Sequence, residues 1–322
     1  MPEVNTLKSK RVEGIITDFD INAPFPKEFQ LDITDFCNHR CIFCSNYKRK
    51  KKRNIDHEFA QKVLLEAYEL GARRVGLYGT GEPLLNSHLA DYTAHAKKLG
   101  YEYCYIDTNG ALATTDRIIP VIQAGIDSIK FSINAGYRET YKEIHGRDDF
   151  ETVITNLKLL WEYRKKTQSS FRIFVSMAVT DKTKSEASVL EKIISPYIDE
   201  WYVRTIFNTC GNNPENNELA EIEPFHIRGR SKSKICFQPF KGFTITPEGL
   251  VSACVLDYQR VLILGDLAKS TLKEIWESDL YRDFRKKHKE MRTKGLICYN
   301  CIHNTNKRFD PILPQYAAIF VG

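Results

Sequence analysis

The chain has 322 residues, 42% of them apolar, and carries a formal net charge of +6. This length and apolar content predict one large hydrophobic core with a smaller satellite domain. No window approaches the roughly 18 consecutive apolar residues of a membrane-spanning helix, and residues 1–14 have no apolar stretch of the signal-peptide type. We therefore expect a soluble cytoplasmic protein with no membrane partner.

Much of the positive charge lies in one basic run, Lys48 to Arg53. The run fits a solvated loop as well as it fits a rim that attracts an anionic substrate, such as a nucleotide sugar or a nucleic acid. No aromatic residue interrupts the run, so it does not predict a stacking platform for single-stranded nucleic acid.

Nine cysteines are present, and most of them are clustered. An odd number in a long chain that is rich in aliphatic residues and has no signal sequence argues against a closed set of disulfides. The clusters are instead typical of metal binding.

Short apolar stretches alternate with amphipathic ones from about residue 28 to residue 206. β-Branched and aromatic residues predict strands over 28–36, 73–78, 102–108, 127–133, 171–179 and 200–206. Apolar residues at helical spacing predict helices over 57–70, 150–166 and 184–195. Such units predict an α/β fold with a parallel sheet, and they are too few for the eight-fold barrel. A partial barrel or a doubly wound sheet follows, with function at the carboxyl ends of the strands.

A change in pattern follows the last predicted strand. Residues 208–235 are polar and rich in Asn, Pro and Gly, which predicts a linker or a lid. A hairpin is predicted over 242–254 and a helix over 271–291. The predicted organisation is therefore an N-terminal extension (1–27), a partial barrel (28–207), a linker or lid (208–235) and a small cysteine-rich domain of hairpin plus helix (236–322).

The first cysteine cluster consists of Cys37, Cys41 and Cys44, directly after the first predicted strand. Three thiolates on one loop can ligate an iron–sulfur cluster, and three ligands for four irons leave one iron open for a cofactor. Zinc with His39 as a fourth ligand is the alternative. It is disfavoured because His39 would share a very tight loop with the cysteines.

This pattern, with Phe43 before the last cysteine, resembles the signature of the radical S-adenosylmethionine (SAM) superfamily. Three further segments, each at the end of a predicted strand, resemble motifs of that family: Gly79-Thr80-Gly81-Glu82-Pro83, Asp107-Thr108-Asn109-Gly110 and Ser132-Ile133-Asn134-Ala135. The resemblance covers residues 28–206 and implies a partial (β/α)6 barrel. It also implies SAM contacts by Phe43, Gly79, Gly81, Glu82, Asn109, Ser132 and Asn134.

The residues in these motifs also have ordinary structural interpretations. Gly79 and Gly81 allow close approach of backbone to a ligand, and Glu82 offers a carboxylate for an ammonium group. Glu82 equally suits a helix amino terminus, Asn109 suits a turn before glycine, and Ser132 suits a satisfied hydroxyl at a strand end.

The second cysteine cluster consists of Cys236, Cys254, Cys298 and Cys301. The spacing alone fits zinc and an iron–sulfur cluster equally well. Behind a radical SAM core, the pattern resembles the twitch domain, the shortened relative of the SPASM domain. That resemblance implies one auxiliary [4Fe-4S] cluster with no open iron, in addition to the [4Fe-4S] cluster that binds SAM.

Two cysteines belong to neither cluster. Cys104 lies within a predicted strand between two tyrosines, and we interpret it as a buried structural thiol. Cys210 lies just past the sixth predicted strand, where a free thiol would be able to give a hydrogen atom to a substrate radical. An ordinary loop cysteine is the alternative.

The resemblance implies an oxidoreductase or epimerase that cleaves SAM to a 5′-deoxyadenosyl radical. It points to the group of aminocyclitol dehydrogenases and aminoglycoside epimerases, and hence to a sugar, amino sugar or nucleotide-linked sugar as the substrate. A one-electron donor such as flavodoxin or ferredoxin is implied as a partner. Modification of a ribosomally made peptide is the second hypothesis. A zinc-dependent nucleic-acid-binding module is the third, and it leaves the first cysteine cluster unexplained.

Overall fold

The computed structural model describes residues 19–206, 208–209, 213, 215–222 and 235–319. Its six predicted strands are present and pair in parallel: β1 (Glu28–Leu31), β2 (Arg74–Gly76), β3 (Tyr103–Thr108), β4 (Ser128–Ser132), β5 (Arg172–Val179) and β6 (Glu200–Thr205). Each strand lies beside the next one along the chain, so their order in the sheet is β6-β5-β4-β3-β2-β1. The predicted parallel α/β array is confirmed.

Helices connect the successive strands: α1 (His57–Glu69), α2 (Leu89–Leu99), α3 (Thr115–Gln123), α4 (Arg138–His145), α5 (Phe150–Thr167) and α6 (Ala187–Ile194). The sequence patterns identify α1, α5 and α6 but not the other three. Pro120 lies inside α3, and α4 has only eight residues, so neither presents a long uninterrupted pattern.

The first strand is shorter than its sequence pattern, because β1 ends at Leu31 and not at residue 36. Beyond Leu31 the backbone pairs with a returning segment: the N–H of Asp35 donates to Arg53, and the N–H of Ile55 donates to Ile33. These hydrogen bonds take the place of pairing with β2. The result is a long, closed loop that contains the first cysteine cluster.

Three further strands extend the same sheet: β7 (Thr244–Ile245), β8 (Leu250–Ser252) and β9 (Ile263–Asp266). β7 pairs with β1 in parallel, and β8 is antiparallel to both of its neighbours. The predicted hairpin therefore continues the barrel sheet, with Gly249 at a φ of +85° in its turn. The cysteine-rich region is thus joined to the strand that leads into the first cysteine cluster.

The predicted helix over 271–291 is two helices, α9 (Leu272–Trp276) and α10 (Asp279–Lys289). The break falls at Ser278, because its side chain caps α10 by accepting a hydrogen bond from the N–H of Tyr281. The remaining helices of this region are α7 (Asn216–Leu219), α8 (Gln238–Lys241) and α11 (Cys298–His303). Much of the predicted linker or lid over 208–235 lies outside the described residues.

The strands present two chemically different faces. On β3, Cys104 and Ile106 belong to the apolar core formed with the helices, whereas Tyr103, Tyr105 and Asp107 alternate with them on the concave face. The concave face is therefore polar and aromatic. Among the helices in the described part of the chain, none combines the length and apolar character needed to cross a bilayer.

Candidate active site

Cys37, Cys41 and Cys44 lie together on the loop after β1, and all three are half-buried and free of disulfides. The N–H of Cys44 donates to the carbonyl oxygen of Cys41 at 3.0 Å, which closes a tight turn. The end of α4 holds this loop through two backbone hydrogen bonds. The structure thus brings together the three residues of the first predicted cluster.

The three thiols are electrostatically coupled. Burial raises the pKa of Cys37 to about 12 and also raises the pKa of Cys41 and Cys44. At Cys41, repulsion from the neighbouring thiolates adds to the rise in pKa. Buried thiols of this kind become thiolates beside a bound cation, and iron–sulfur clusters take thiolate ligands. The donor set therefore fits the predicted cluster.

His39 has both ring nitrogens engaged within the protein. Its Nδ1 lies 3.2 Å from Nδ1 of His145, and its Nε2 lies 3.0 Å from Oδ2 of Asp149. Ligand atoms of His39, Cys41 and His145 do lie within 4.8 Å of one another. Both ring nitrogens of His39 are engaged in these hydrogen bonds, which disfavours zinc ligation by His39 with the three cysteines.

The turn from Gly79 to Glu82 packs against the loop after β1. A Cβ atom at Gly79 would lie 2.2 Å from the Asp32 side chain, and one at Gly81 would lie 2.1 Å from the carbonyl oxygen of Thr34. Glycine is therefore required at both positions because the backbone lies close to Asp32 and Thr34 of the same chain. Thr80 is buried, and both its N–H and its hydroxyl donate to Oδ2 of Asp32.

Glu82 is buried at the carboxyl end of β2, where three donors face its carboxylate. The N–H of Leu84 and the hydroxyl of Thr108 donate to Oε1, and the N–H of Asn109 donates to Oε2 at 2.8 Å. Burial nevertheless raises the pKa of Glu82 to about 7. A cation at this carboxylate would favour its ionised form, so the group is suited to an ammonium ligand.

Asn109 connects this carboxylate to the first cysteine cluster. Its side-chain N–H donates to Oδ1 of Asn38 at 2.8 Å, and its own Oδ1 accepts from the N–H of Ala111. Asn109 thus stabilises the turn, as its structural interpretation predicts, and also contacts the cysteine loop. Three of the predicted motifs meet at one edge of the sheet.

The remaining predicted SAM contacts lie at the same edge or beside it. Ser132 ends β4 opposite Ser176, and it is half-buried. Asn134 is buried, with its Oδ1 accepting from the N–H of Ala178 at 2.8 Å and its amide nitrogen 3.2 Å from Nε2 of His145. Phe43 packs against a small apolar cluster that contains Ile206. Contact of these residues with SAM stays a prediction.

The second cysteine cluster lines one partly open cavity. Cys236, Cys254, Cys298 and Cys301 face it, and apolar side chains such as Phe284 and Leu262 form much of the remaining wall. Burial raises the pKa of Cys236 and Cys298, and the other thiolates of the set raise it further. Four convergent thiolates in an apolar pocket fit a cluster with no open iron.

The two cysteine sites are joined by a short loop that the sequence interpretation missed. Cys254 of the second site opens this loop, and Tyr258 within it faces the thiol of Cys44 in the first site, where burial raises the pKa of that thiol and hydrogen bonding by Tyr258 lowers it. The thiolate of Cys44 raises the pKa of Tyr258 well above its ordinary value, together with burial. No local pattern in the sequence indicates this contact.

The basic run is partly structural. Arg49 is buried and paired with Asp35, Lys48 contacts Glu215 at 3.2 Å, and Lys52 donates to Asn46. The next ion pairs of this network involve Arg260, whose guanidinium lies 3.7 Å from Asp35 and 3.5 Å from Glu248 of the hairpin turn. The run therefore contributes to packing between the barrel and the hairpin, which neither sequence interpretation anticipated.

The two cysteines outside the clusters have different outcomes. Cys104 is fully buried in the apolar core, as expected for a structural thiol. Cys210 lies outside the described residues, so its assignment as a hydrogen-atom donor stays a prediction.

An ion pair between a buried lysine and a half-buried aspartate lies on the concave face beneath the predicted SAM contacts. Asp107 of β3 pairs with Lys130 of β4, and their side chains are only 15% and 10% exposed. Lys130 Nζ also lies 5.7 Å from the centre of the Tyr202 ring on β6. Sequence reasoning missed this pair, although a lysine between Ile129 and Phe131 in a strand was a visible signal.

Comparison with known proteins identifies the class. The model of the radical SAM superfamily matches residues 31–186, and the SPASM model, an iron–sulfur cluster-binding domain, matches residues 236–302. The chain belongs to the radical SAM superfamily. It is an enzyme whose cofactors are SAM and iron–sulfur clusters, one of them auxiliary.

Two curated relatives show the range within that class. The chain is 34% identical over 243 residues to a probable GTP 3′,8-cyclase of Saccharolobus solfataricus, which covers 72% of this chain and 75% of the relative. It is 22% identical over 299 residues to the S-adenosyl-L-methionine-dependent 2-deoxy-scyllo-inosamine dehydrogenase of Niallia circulans, which covers 88% of this chain and 97% of the relative.

Solved structures share the fold. The structure of BtrN with AdoMet and 2-DOIA aligns with a TM-score of 0.58 at 20% identity, covering 88% of this chain and 97% of BtrN. Streptococcus suis SuiB bound to its precursor peptide SuiA aligns with a TM-score of 0.65 at 15% identity, covering 82% of this chain and 68% of SuiB. These likenesses show that the chain shares its fold with these structures.

Proposed function

We propose that this enzyme dehydrogenates or epimerises a small polar molecule of the sugar, amino-sugar or nucleotide-linked sugar class. The observation that carries the proposal is the largely enclosed ion pair of Asp107 and Lys130 on the concave face of the barrel. Asp107 lies two residues before Asn109, and Lys130 lies two residues before Ser132, so the pair sits just beneath the predicted SAM contacts. The inosamine dehydrogenase of Niallia circulans supports the same class of substrate.

The chemistry of this pair suits a polyol or an amino sugar. Burying two charges is costly unless they are paired or bind a polar ligand. Hydroxyl and amino groups can hydrogen-bond to both members, because the carboxylate accepts and the ammonium donates. The Tyr202 ring beside Lys130 adds an aromatic surface against which a C–H face of a sugar ring can pack.

In this function the cysteines and the strand-end residues bind SAM and its cluster. Cys37, Cys41 and Cys44 hold the cluster that binds SAM, and Glu82 accepts the SAM ammonium group. The other predicted SAM contacts are Phe43, Gly79, Gly81, Asn109, Ser132 and Asn134. When bound, SAM and its cluster supply a 5′-deoxyadenosyl radical that removes one hydrogen atom from the substrate. The auxiliary cluster supplies an acceptor for the electron that remains on the substrate after a proton leaves.

The four cysteines of the auxiliary site favour a role in electron transfer, as dehydrogenation requires, over direct coordination of a substrate by iron. Cys236, Cys254, Cys298 and Cys301 supply one thiolate for each iron of a four-iron cluster, so no iron is left to coordinate a substrate. Such a cluster serves electron transfer. The loop from Cys254 to Tyr258 gives a direct structural connection between the two cysteine sites. A one-electron donor is required to start each turnover.

A second candidate function comes from the 34% identity to a probable GTP 3′,8-cyclase. The substrate would then be a nucleoside triphosphate. The four-cysteine auxiliary site favours dehydrogenation, for the reason given above. A peptide substrate has only the fold likeness to SuiB in its favour.

The test is anaerobic reconstitution followed by incubation with SAM, a reductant and a panel of amino sugars, polyols, nucleotide sugars, GTP and short peptides in heavy water. Substrate-dependent 5′-deoxyadenosine with loss of two hydrogens from a carbohydrate indicates dehydrogenation. Deuterium incorporation without a change in oxidation state indicates epimerisation, and Cys210→Ala would then abolish it while SAM cleavage continues. Turnover of GTP or a peptide alone would overturn the proposal.

A matched pair of variants tests the role of the Asp107–Lys130 ion pair in substrate binding. Lys130→Met removes the charge from the concave face and keeps an unbranched chain, so we expect loss of substrate-dependent 5′-deoxyadenosine formation. Lys158→Met changes a lysine on the outer helix α5 and should leave turnover unchanged. Full turnover in Lys130→Met would show that the ion pair does not bind the substrate.

A further inference from the structure

The carboxyl end of α4 docks directly onto the first cysteine cluster. The N–H groups of Arg40 and Ile42 donate to the carbonyl oxygens of His145 and Ile144, both at 3.0 Å. Gly146 ends α4 at a φ of +66°, and a Cβ atom there would lie 3.0 Å from the Arg40 carbonyl oxygen. The position of His145 relative to the cysteine loop is therefore set by backbone geometry.

The His145 side chain is fully enclosed at this junction. Its ring is 1% exposed and stacks on Tyr141, with centroids 3.9 Å apart and planes 12° from parallel. Its Nδ1 lies 3.6 Å from the Sγ of Cys41 and 3.2 Å from Nδ1 of His39. A ring held by stacking on one side and by hydrogen bonds at its edge has one orientation.

The hydrogen-bond partners determine which nitrogen of His145 carries the proton. Its Nε2 lies 3.2 Å from the backbone nitrogen of Asn134, which can only donate, so Nε2 is the acceptor. In a neutral imidazole the proton then resides on Nδ1, the nitrogen that faces Cys41. An N–H group is thus directed at a thiolate of the predicted cluster.

The neighbouring histidine supports the same tautomer of His145 and offers its Nδ1–H a second acceptor. His39 Nε2 lies 3.0 Å from Oδ2 of Asp149, and a carboxylate only accepts, so the His39 proton is on Nε2. Its Nδ1 is then an acceptor 3.2 Å from Nδ1 of His145, so the single Nδ1–H of His145 is shared between this nitrogen and the Sγ of Cys41 at 3.6 Å. Asp149, His39 and His145 form a chain in which every donor meets an acceptor.

We propose that His145 is a positioning residue whose Nδ1–H donates to the Cys41 thiolate and tunes the reduction potential of the SAM-binding cluster. His39 and Asp149 fix its tautomer, and Asn134 links it to the predicted SAM contacts. Hydrogen bonds to cluster sulfurs favour the reduced, more negative state and so raise the potential. This inference rests on the proposed assignment of the cluster to Cys37, Cys41 and Cys44.

Three substitutions of His145 distinguish the effect of its hydrogen-bond donor from the effect of its stacking on Tyr141. His145→Phe keeps a flat ring to stack on Tyr141 and removes the donor. His145→Asn places an amide nitrogen near the position of Nδ1, whereas His145→Gln places one near the position of Nε2. His88→Phe, at an exposed histidine before α2, is the matched control.

The measurement is the midpoint potential of the SAM-binding cluster in the reconstituted holoenzyme, followed by electron paramagnetic resonance. The signal that changes on addition of SAM identifies this cluster, and iron content is checked for each variant. We expect a lower potential in His145→Phe and His145→Gln, a value near that of the wild type in His145→Asn, and no change in His88→Phe. If His145→Phe does not retain iron, the difference in midpoint potential between His145→Asn and His145→Gln tests the role of the donor.

An unchanged potential in His145→Phe, or equal shifts in the Asn and Gln variants, would overturn the role of the donor. Absence of any SAM-responsive signal in the wild type would overturn the cluster assignment and this proposal with it. A donor-dependent shift without turnover of any carbohydrate would support the inference and overturn only the proposed substrate class.

Discussion

Tyr258 faces the thiol of Cys44 and acts on its pKa, although the two residues are more than 200 positions apart in the chain. The contact is made possible because β7 pairs with β1, the strand that leads into the cysteine loop. Cys254 lies on the same short loop as Tyr258 and faces the auxiliary cavity. The loop therefore spans the space between the two cysteine sites.

Removal of this hydroxyl tests its influence on the first site. We expect Tyr258→Phe to lower the reduction potential of the SAM-binding cluster and to slow 5′-deoxyadenosine formation, because a hydrogen bond to a thiolate contributes about 2 kcal/mol. Tyr299→Phe, which alters a tyrosine of α11 whose ring is tilted against that of His303, is the control. Equal rates and potentials in both variants would contradict the prediction.

The first cysteine cluster is predicted to be indispensable for SAM cleavage. Cys41→Ala should reduce 5′-deoxyadenosine formation to the background rate, because two thiolates do not hold the cluster in place. Cys104→Ala changes a buried cysteine of the apolar core and should cost about 1 kcal/mol of stability with cleavage retained. Anaerobic product analysis by chromatography distinguishes these outcomes, and persistent cleavage in Cys41→Ala would refute the assignment.

The auxiliary cysteines are predicted to stabilise their part of the fold. Loss of Cys298 or Cys301 should halve the iron content, from about eight to about four irons per chain, since each cubane holds four. Solubility should fall as well, because the four cysteines line a cavity that a bound cluster would fill in place of side chains. Iron analysis and size-exclusion chromatography measure both effects. A soluble variant with eight irons would exclude these ligands.

Glu82 is predicted to make stability depend on pH. Its pKa in the folded protein is raised to about 7 from 4.5, so the folded state binds more protons than the unfolded state between these values. Stability therefore falls as the pH rises through this window, by up to about 3 kcal/mol in SAM-free protein. The difference in Tm between wild type and Glu82→Gln isolates the group. That difference should change between pH 5 and pH 8, and a constant difference would argue against a raised pKa.

Gly81 is predicted to tolerate no side chain. A Cβ atom there would lie 2.1 Å from the carbonyl oxygen of Thr34 and 2.6 Å from that of Phe36, both backbone atoms. Gly81→Ala should therefore cost about 3 kcal/mol of stability and displace Glu82 from its hydrogen bonds. Gly71→Ala, at a left-handed glycine with open space around it, should cost about 1 kcal/mol and leave SAM binding intact. Thermal unfolding and SAM titration report the two effects.

Local sequence information was sufficient for the parallel array and for the grouping of the cysteines. β-Branched strands, apolar residues at helical spacing and short cysteine spacings are properties of neighbouring residues, so they can be read without a structure. The strand-end motifs follow for the same reason, because parallel strands bring their carboxyl ends to one edge of the sheet.

Tertiary structure alone decided how these parts contact one another. His145 faces Cys41, Lys130 pairs with Asp107, and Tyr258 reaches Cys44 across separations in sequence that no local pattern encodes. The break between α9 and α10 and the early end of β1 likewise depend on competing hydrogen bonds. Pairing of β7 with β1 sets the auxiliary site beside the first cysteine loop, because backbone hydrogen bonding between distant strands is specified by packing and not by neighbours in sequence.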